Sequence, residues 1–266
     1  MPTPQRDWYD TPLYYDIVFD DGTVAEADFL EGACAKYAAP AKGRRLLEPA
    51  CGSGRLALEL ARRGWEVCGF DGNANMIAFA QQRLEQAGLQ GKARLWEDWM
   101  QSFTLPKGVK GGFDLAHCLV STFKYLHTER DAAECLRRVA AALRPGGVFL
   151  LGLHLTDYDR TGMEHERWVA RRGKVEVVCN TRTWPADRRT RLEDLRTRLK
   201  ITDHGRTHLQ ETRWQFRTYS AAQLKALLKK VPELEYLECY DFTYDLEEPR
   251  RFDDRYADVL LVLRRR

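Results

Sequence analysis

The sequence predicts an α/β protein in which a seven-stranded, mostly parallel sheet is flanked by helices and an antiparallel sheet is inserted after strand five. Two observations predict the parallel sheet. Short apolar runs alternate with helical patterns between residues 45 and 153, and a glycine-rich loop follows the first of these runs. A third observation, the period-two alternation between residues 167 and 218, predicts the inserted sheet.

The composition is typical of a soluble globular protein. Of the 266 residues, 44% are hydrophobic and 30% are charged, which is enough for a sizeable core. No apolar run reaches membrane-spanning length, and the first ten residues contain no signal-peptide core. Seven cysteines without a C-x-x-C pair and six scattered histidines indicate reduced thiols and no metal site. We therefore expect a cytoplasmic protein with no membrane partner.

The net charge of +3 is unevenly distributed along the chain. Residues 160–217 contain 15 Lys and Arg against 8 Asp and Glu. This excess is explained either by a solvated, arginine-rich sheet face or by an acidic or nucleic-acid substrate. The sequence leaves both explanations open, and a nucleic-acid partner is the less expected of the two.

A βαβ unit occupies residues 45–71. The first strand ends at Leu47, a tight loop covers residues 48–54, and the helix after it ends at Gly64. A second strand then leads to Asp71 at its carboxyl end. Open α/β sheets bind small molecules outside their strand ends, so the sequence predicts a ligand crevice at this loop.

The loop chemistry indicates which ligand the crevice suits. Gly52 and Gly54 lack Cβ atoms, so the backbone can turn sharply there and approach a ligand closely. The spacing also fits the G-x-G-x-x-A pattern of dinucleotide sites, which is a weak signal by itself. Glu48 argues against a dinucleotide, because its carboxylate would repel a pyrophosphate but attract the α-ammonium group of an amino acid.

Residues 48–64, EPACGSGRLALELARRG, resemble the first motif of the class I S-adenosylmethionine-dependent methyltransferases. The likeness is greatest to the small-molecule branch, which includes glycine, sarcosine and amino-sugar N-methyltransferases, and extends over residues 14–152. It implies the Rossmann-like class I methyltransferase fold. It also implies an enzyme that moves a methyl group from S-adenosyl-L-methionine to an N or O atom of a small-molecule acceptor, leaving S-adenosyl-L-homocysteine.

Three acidic residues follow three successive strands. The carboxylate of Asp71 can accept hydrogen bonds from both hydroxyls of a ribose diol. The resemblance implies that Glu48 and the loop hold the methionine part and that Asp98 and Trp99 contact the adenine; Asp98 also suits a turn cap. The expected cofactor-binding residues are Tyr15, Glu48, Ala50, Gly52, Gly54, Arg55, Asp71, Gly72, Met76, Asp98, Trp99, Cys118 and Leu119. Met76 fits the core equally well.

The acceptor side is predicted around the fourth and fifth strands. After the fourth strand, residues 118–121 read CLVS and not the Asn-Pro-Pro-Tyr type of DNA and protein-glutamine methyltransferases, which disfavours a nucleobase amine. His154, at the end of the fifth strand, is the first candidate for taking the acceptor's proton. Tyr15 and Tyr125 are the next catalytic candidates, and a structural role for all three stays open.

The predicted organisation has four parts. Residues 1–40 form an aromatic and helical cap, residues 41–155 the cofactor-binding core, residues 156–218 the inserted sheet, and residues 219–266 a helix and two closing strands. The resemblance implies that the insert covers the acceptor pocket or forms a homodimer contact.

Two other functions stay open at this point. The chain could be an RNA or peptide methyltransferase that uses the arginine-rich insert, or a non-catalytic module that binds the cofactor. Glu48 and Asp98 disfavour a nicotinamide oxidoreductase.

Overall fold

The structure is a computed structural model that describes residues 6–40 and 43–266. Residues 1–5 of the predicted cap and residues 41 and 42 of the predicted core lie outside this part. The α-helices are α1 Pro12–Phe19, α2 Thr23–Tyr37, α3 Arg55–Arg62, α4 Ala74–Gln86, α5 Glu129–Ala142 and α6 Ala221–Leu228. The strands are β1 Arg45–Pro49, β2 Glu66–Asp71, β3 Ala93–Glu97, β4 Phe113–Cys118, β5 Leu143–His154, β6 Glu164–Arg172, β7 Val175–Thr183, β8 Leu192–Asp203, β9 Arg206–Arg217, β10 Leu234–Tyr240 and β11 Asp258–Arg265.

The main sheet has the strand order β10-β11-β5-β4-β1-β2-β3. Strands β1 to β5 pair in parallel, and β11 runs antiparallel to both β5 and β10. The predicted seven-stranded, mostly parallel sheet is therefore confirmed. Because β1, β2, β3 and β4 are parallel neighbours, the residues at their carboxyl ends share one edge of the sheet.

Both faces of this sheet are covered by helices. On one face, Leu30 of α2 and Leu60 of α3 pack with Leu46 of β1. On the other face, Leu136 of α5 packs with Leu47 of the same strand. Consecutive leucines on β1 point to opposite sides and both are fully buried, which is why parallel strands of this kind are continuously apolar.

Two elements differ from what the local sequence indicates. Strand β5 begins at Leu143, before the apolar run that starts at Val148, because Leu143 already pairs with Phe113 of β4. A Cβ at Gly147 would lie 2.7 Å from the Phe113 carbonyl oxygen, so Gly147, at a position typical of a turn, allows close strand pairing instead. Helix α1 was not predicted, since its apolar and aromatic residues surround the helix without a clear period.

The inserted four-stranded sheet has the order β6-β7-β8-β9 and is antiparallel throughout. A two-residue turn joins β8 and β9: Asp203 pairs with Arg206, and His204 and Gly205 have φ angles of 46° and 81°. Alternate β8 residues such as Leu199 and Ile201 form one buried face, in agreement with the period-two pattern of the sequence. This face packs against the aromatic cap that contains Trp8 and α1.

Asp16 of α1 joins four parts of the molecule. Its carboxylate is fully buried and accepts hydrogen bonds from the Ser53 hydroxyl at 2.6 Å and from Arg172 of β6 at 2.7 Å. Arg83 of α4 also donates to it. Helix α1 is therefore held between the glycine loop and the insert, directly above the edge of the main sheet.

Across the described ranges, no helix combines the length and the apolar composition that crossing a membrane requires. The part boundaries near residues 40, 155 and 218 stay predictions.

Candidate active site

Two adjoining cavities lie at the carboxyl edge of β1 to β4. The larger has a volume of about 450 Å³, and its wall includes Asp71 and Asp98. The smaller, of about 50 Å³, is lined by Glu48 and by residues of the glycine loop and of β4. Tyr15, Ala50, Gly52 and Thr122 line both cavities. The three predicted carboxylates thus lie along one cleft, two in its larger part and one in its smaller part.

Asp71 ties the end of β2 to the glycine loop. Its Oδ2 accepts a hydrogen bond from the Gly52 N–H and its Oδ1 accepts one from the Asn73 N–H, both at 2.9 Å. Burial raises the pKa of the Asp71 carboxyl, and these two N–H donors oppose the rise. Each oxygen keeps a lone pair that can accept a further hydrogen bond from a ligand hydroxyl.

Asp98 and Trp99 form the outer wall. The Asp98 carboxylate caps the turn, accepting hydrogen bonds from the N–H groups of Trp99 at 2.8 Å and Thr104 at 3.0 Å, and it also lines the cavity. The Trp99 indole is 59% exposed and lies against Gly72, where a Cβ would be 2.8 Å from Cζ3 of the ring. The absence of a side chain at Gly72 therefore lets a flat aromatic surface form this wall.

Glu48 and His117 are buried together at the smaller cavity. The distance from His117 Nε2 to Glu48 Oε1 is 3.9 Å, too long for a hydrogen bond. Among the described residues, neither Glu48 Oε2 nor His117 Nε2 has a hydrogen-bond partner. Burial raises the pKa of Glu48 to about 8 and lowers the pKa of His117 to about 3. Between about pH 3 and pH 8 both groups are therefore neutral, and Glu48 has an oxygen available for a cationic ligand.

Three tyrosines form the roof of the cleft. Tyr15 lies over the glycine loop, 3.7 Å from where a Gly52 Cβ would be. The hydroxyls of Tyr9 and Tyr125 are hydrogen-bonded at 2.7 Å. Burial raises the pKa of all three phenols, so they stay protonated at neutral pH and can donate or accept hydrogen bonds without acting as bases.

The glycine loop has the conformation that its residues require. Ala50, Gly52 and Gly54 all have φ between 53° and 70°, and Gly54 precedes the first residue of α3. A Cβ at Gly54 would lie 2.7 Å from the Cβ of Ala80 on α4. This glycine is therefore needed for packing α3 against α4, whereas Gly52 faces the cleft.

Two predicted site residues lie outside both cavities. His154 is at the end of β5 as predicted, but its ring is half exposed and its Nδ1 is 2.6 Å from Asp258 of β11. The expectation that it faces the acceptor crevice was wrong, because the antiparallel neighbour β11 supplies its partner on the surface. Met76 is fully buried and lines neither cavity, which agrees with the core interpretation.

Other predicted residues line the smaller cavity. Cys118 and Leu119, at the end of β4, are in its wall. Arg55 also lines it, but its guanidinium is paired with Glu26 of α2 at 2.6 Å and donates to the Thr23 hydroxyl at 3.0 Å. Its charge is therefore already compensated within the protein.

Several cavity residues were not predicted from the sequence. His127 lies in the wall of the larger cavity, and its Nε2 donates to the Gln215 carbonyl oxygen of β9 at 2.9 Å. Because a carbonyl only accepts, Nε2 carries the hydrogen and Nδ1 is the basic nitrogen. Asp7 and Asp131 line the same cavity, and His117 lies behind Glu48. Asp7 belongs to the cap and His127 is held by the insert, so no local motif marks either residue.

The strand order, the glycine loop and the carboxylates at the strand ends define a class of protein, the class I methyltransferase fold. Residues 46–147 match the family model described as Methyltransferase domain. This region of the chain is similar to methyltransferases, and the solved structures described below share the class I methyltransferase fold.

The relatives of known name that the chain matches are methyltransferases as well. The chain is 29% identical over 157 residues to a glycine/sarcosine N-methyltransferase of Parasynechococcus marenigrum, covering 58% of this chain and 51% of the relative. It spans about half the length of the curated relatives it matches, with 44%, 51% and 43% of three of them covered.

Solved structures show the same fold over nearly the whole chain. An S-adenosylmethionine-dependent methyltransferase from Clostridium acetobutylicum has a TM-score of 0.73 at 18% identity, with 95% of this chain and 96% of that chain covered. CalS10, an amino pentose methyltransferase from Micromonospora echinaspora, has a TM-score of 0.69 at 19% identity, with all of both chains covered.

Proposed function

We propose that the protein transfers a methyl group from S-adenosyl-L-methionine to a nitrogen atom of a small-molecule acceptor. The observation that carries this proposal is the unpartnered, buried Glu48 oxygen at the cleft, in line with Asp71. A buried carboxyl without a partner is costly unless a ligand supplies one. The α-ammonium group of the cofactor is a partner of the right charge.

The cofactor fits the cleft from its smaller to its larger part. Glu48 and the Gly52 backbone would hold the methionine part, and Asp71 the ribose hydroxyls. Asp98 and the Trp99 ring would contact the adenine in the larger cavity. The bound cofactor supplies a methyl group bonded to a sulfonium sulfur. The lone pair of the acceptor attacks the methyl carbon and displaces that sulfur.

The chain's own residues position the acceptor and receive its proton. Tyr15 and the Tyr9–Tyr125 pair would orient the acceptor by hydrogen bonds and attract the sulfonium through their ring faces. His127, with Nδ1 unprotonated, is the histidine of the cavity wall that could take a proton from an amine. We propose it in place of His154 for this role.

Nitrogen is favoured over oxygen by the names of the relatives. The curated relative described above is a glycine/sarcosine N-methyltransferase, and KedS8, a structural neighbour from Streptoalloteichus, is a sugar N-methyltransferase. An amine also needs less activation than a hydroxyl, because its neutral form is already nucleophilic.

The arginines of the insert do not favour an RNA acceptor or a homodimer through this sheet. Arg196 of β8 lies directly between Arg182 of β7 and Arg213 of β9, on the face opposite the buried one. This row is therefore turned away from the cleft. A twofold contact would bring two such rows together, which like charges oppose.

All seven cysteines are unpaired, which supports a reducing, cytoplasmic setting.

The test is to incubate the protein with methyl-labelled S-adenosyl-L-methionine and a metabolite extract and to identify the labelled product. We expect label on a nitrogen of a small molecule. Cofactor binding without transfer to any acceptor would instead support a non-catalytic binding module. Label on RNA or peptide, with binding that weakens steeply with salt, would support the alternative acceptors.

A further inference from the structure

Apart from one histidine, the ionisable side chains in the described wall of the larger cavity are carboxyls and phenols. Four aspartates line the described part of this wall, together with His127 and three tyrosines, and no lysine or arginine of the described ranges is among the lining residues. The aspartates are Asp7, Asp71, Asp98 and Asp131. A cavity of this composition has a negative potential, because its low-dielectric walls concentrate the field of the carboxylates.

The cations around the cavity are already paired. Lys124 is buried on the loop that carries Tyr125, but its Nζ donates to Glu193 of the insert at 2.7 Å. Arg55 is paired with Glu26 at the smaller cavity. Arg130 is 89% exposed, with its guanidinium 3.4 Å from Asp131 Oδ1, so water screens this pair and the Asp131 carboxylate still contributes negative charge to the cavity wall. None of these groups presents a free positive charge to a ligand inside the cavity.

Resting on the proposed function, we propose that the acceptor is an amine without a carboxylate or phosphate group, and that it enters the larger cavity as a cation. Asp71 and Asp98 face the cofactor in the arrangement above. Asp7 and Asp131 remain, on the side of the cavity that His127 shares. Their carboxylates attract an ammonium group and repel an anionic acceptor.

The reaction balances with the groups present. The bound ammonium loses one proton to Nδ1 of His127, which leaves a lone pair on nitrogen. This pair forms the new N–C bond to the methyl carbon as the C–S bond breaks, and the C–S electrons stay on sulfur as a neutral thioether. His127 returns its proton to solvent, and the methylated amine leaves as an ammonium ion.

An amine without a carboxylate differs from glycine, the amino acid in the names of the glycine N-methyltransferases among the relatives. Glycine would bring a carboxylate into a cavity whose described wall offers no unpaired cation to bind it. A basic amine brings only the charge that Asp7 and Asp131 complement. The local sequence match to those relatives therefore does not extend to the acceptor's charge.

The first test separates acceptors by charge before the reaction. A metabolite extract is divided on a cation exchanger at pH 7 into retained, cationic compounds and unretained, zwitterionic, neutral or anionic compounds. Each pool is incubated with the protein and labelled cofactor. We expect at least tenfold more label to be transferred in the retained pool. Most of the label in the unretained pool would overturn the inference while leaving the proposed methyl transfer intact.

Variants that remove one negative charge test whether Asp7 and Asp131 recognise the acceptor. Asp131→Asn and Asp7→Asn should each raise KM for the retained, cationic pool by roughly three- to tenfold, with little change in affinity for S-adenosyl-L-homocysteine. Asp21→Asn, an exposed aspartate outside the cleft, is the matched control and should change neither. An unchanged KM in both wall variants would overturn the assignment of these residues.

The second test does not depend on turnover. Caesium and iodide ions quench tryptophan fluorescence, and the difference between the native protein and Trp99→Phe isolates the indole in the cavity wall. We expect caesium to quench Trp99 more, and iodide less, than they quench free N-acetyltryptophanamide. Stronger quenching by iodide would contradict the negative cavity even if no acceptor were found, whereas absent label with caesium-favoured quenching would count against the proposed function alone.

Discussion

Glu48 Oε1 and His117 Nε2 face each other at 3.9 Å in a buried site, and each residue has a polar atom without a hydrogen-bond partner among the described residues. Burial keeps both neutral near pH 7, since it raises the pKa of Glu48 to about 8 and lowers that of His117 to about 3. The positive charge of Arg55 lowers the Glu48 pKa, and the negative charges of Glu26 and Asp71 raise it. This balance makes the site ready to change its protonation when a cation binds.

The first prediction is that cofactor binding releases a proton. Below pH 8 the free Glu48 carboxyl is protonated, whereas an ammonium ligand favours the carboxylate, so binding must expel the proton. Affinity for S-adenosyl-L-homocysteine should therefore rise between pH 6 and 7.5, by up to about tenfold per unit, and level off above pH 8. Calorimetry in buffers of different ionisation enthalpy measures the released proton directly.

Glu48→Gln is the control for this linkage. It should bind the product more weakly and release no proton at any pH in this range. Equal apparent enthalpies in all buffers for the native protein would show that Glu48 is already ionised before binding.

The second prediction concerns the ribose. Asp71→Ala should weaken binding of S-adenosyl-L-homocysteine by about 1.5–3 kcal/mol, the scale of hydrogen bonds to a charged group. Glu97→Ala is a matched control, because Glu97 pairs with Asp71 in the sheet register and lines neither cavity. It should leave the affinity unchanged. Similar losses in both variants, measured by calorimetry, would point to a general weakening of the strand ends.

The third prediction tests the wall made by Trp99. In Gly72→Ala the new Cβ would lie 2.8 Å from the ring, so the indole must move. We expect a loss of cofactor affinity of about 1–3 kcal/mol, the usual cost of overpacking, with a change in tryptophan fluorescence. Gly91→Ala is the control, since nothing lies within 4 Å of a Cβ there. In a Trp99→Ala background, Gly72→Ala should have little further effect.

The fourth prediction concerns Asp16. Replacing this buried carboxylate by Asn leaves Arg83 and Arg172 without their charge partner, and we expect the free energy of unfolding to fall by about 3–5 kcal/mol. Asp20→Asn should cost less than about 1 kcal/mol, because Asp20 is exposed although it contacts the same two arginines. Urea unfolding of both variants measures the difference. Equal costs would mean that burial of Asp16 adds nothing to stability.

The fifth prediction separates the two histidines. His154→Ala should keep full turnover and lose less than about 1 kcal/mol of stability, because its partner Asp258 is also exposed. His127→Asn should lower the single-turnover rate without changing affinity for S-adenosyl-L-homocysteine. A slow His154→Ala and a fully active His127→Asn would return the role to His154.

The βαβ unit could be predicted because the sequence features that form it lie within a few neighbouring residues. The apolar strands, the glycine loop and the acidic residues after successive strands each follow from neighbouring residues, and parallel order then places Glu48, Asp71 and Asp98 at one sheet edge. Gly72 and Trp99, which contact each other, both belong to segments that the family resemblance had already marked as cofactor-binding. The alternation of β6 to β9 likewise predicted a sheet with one buried face.

The acceptor side could not be predicted in the same way. His154 was the best histidine by its strand position, but the partner strand that holds it on the surface is formed about 100 residues later in the chain. His127 carries no local motif, and its tautomer is determined by a carbonyl of β9 that lies 88 residues later in the chain.

The sequence by itself determined the class of fold, the cofactor loop and the carboxylates at the strand ends, because periodicity and turn chemistry act over a few residues. Only the tertiary structure decided which further aspartates and which histidine line the larger cavity beside Tyr15 and Tyr125. These residues meet through contacts among the cap, the insert and the main sheet, which form only when distant parts of the chain pack together.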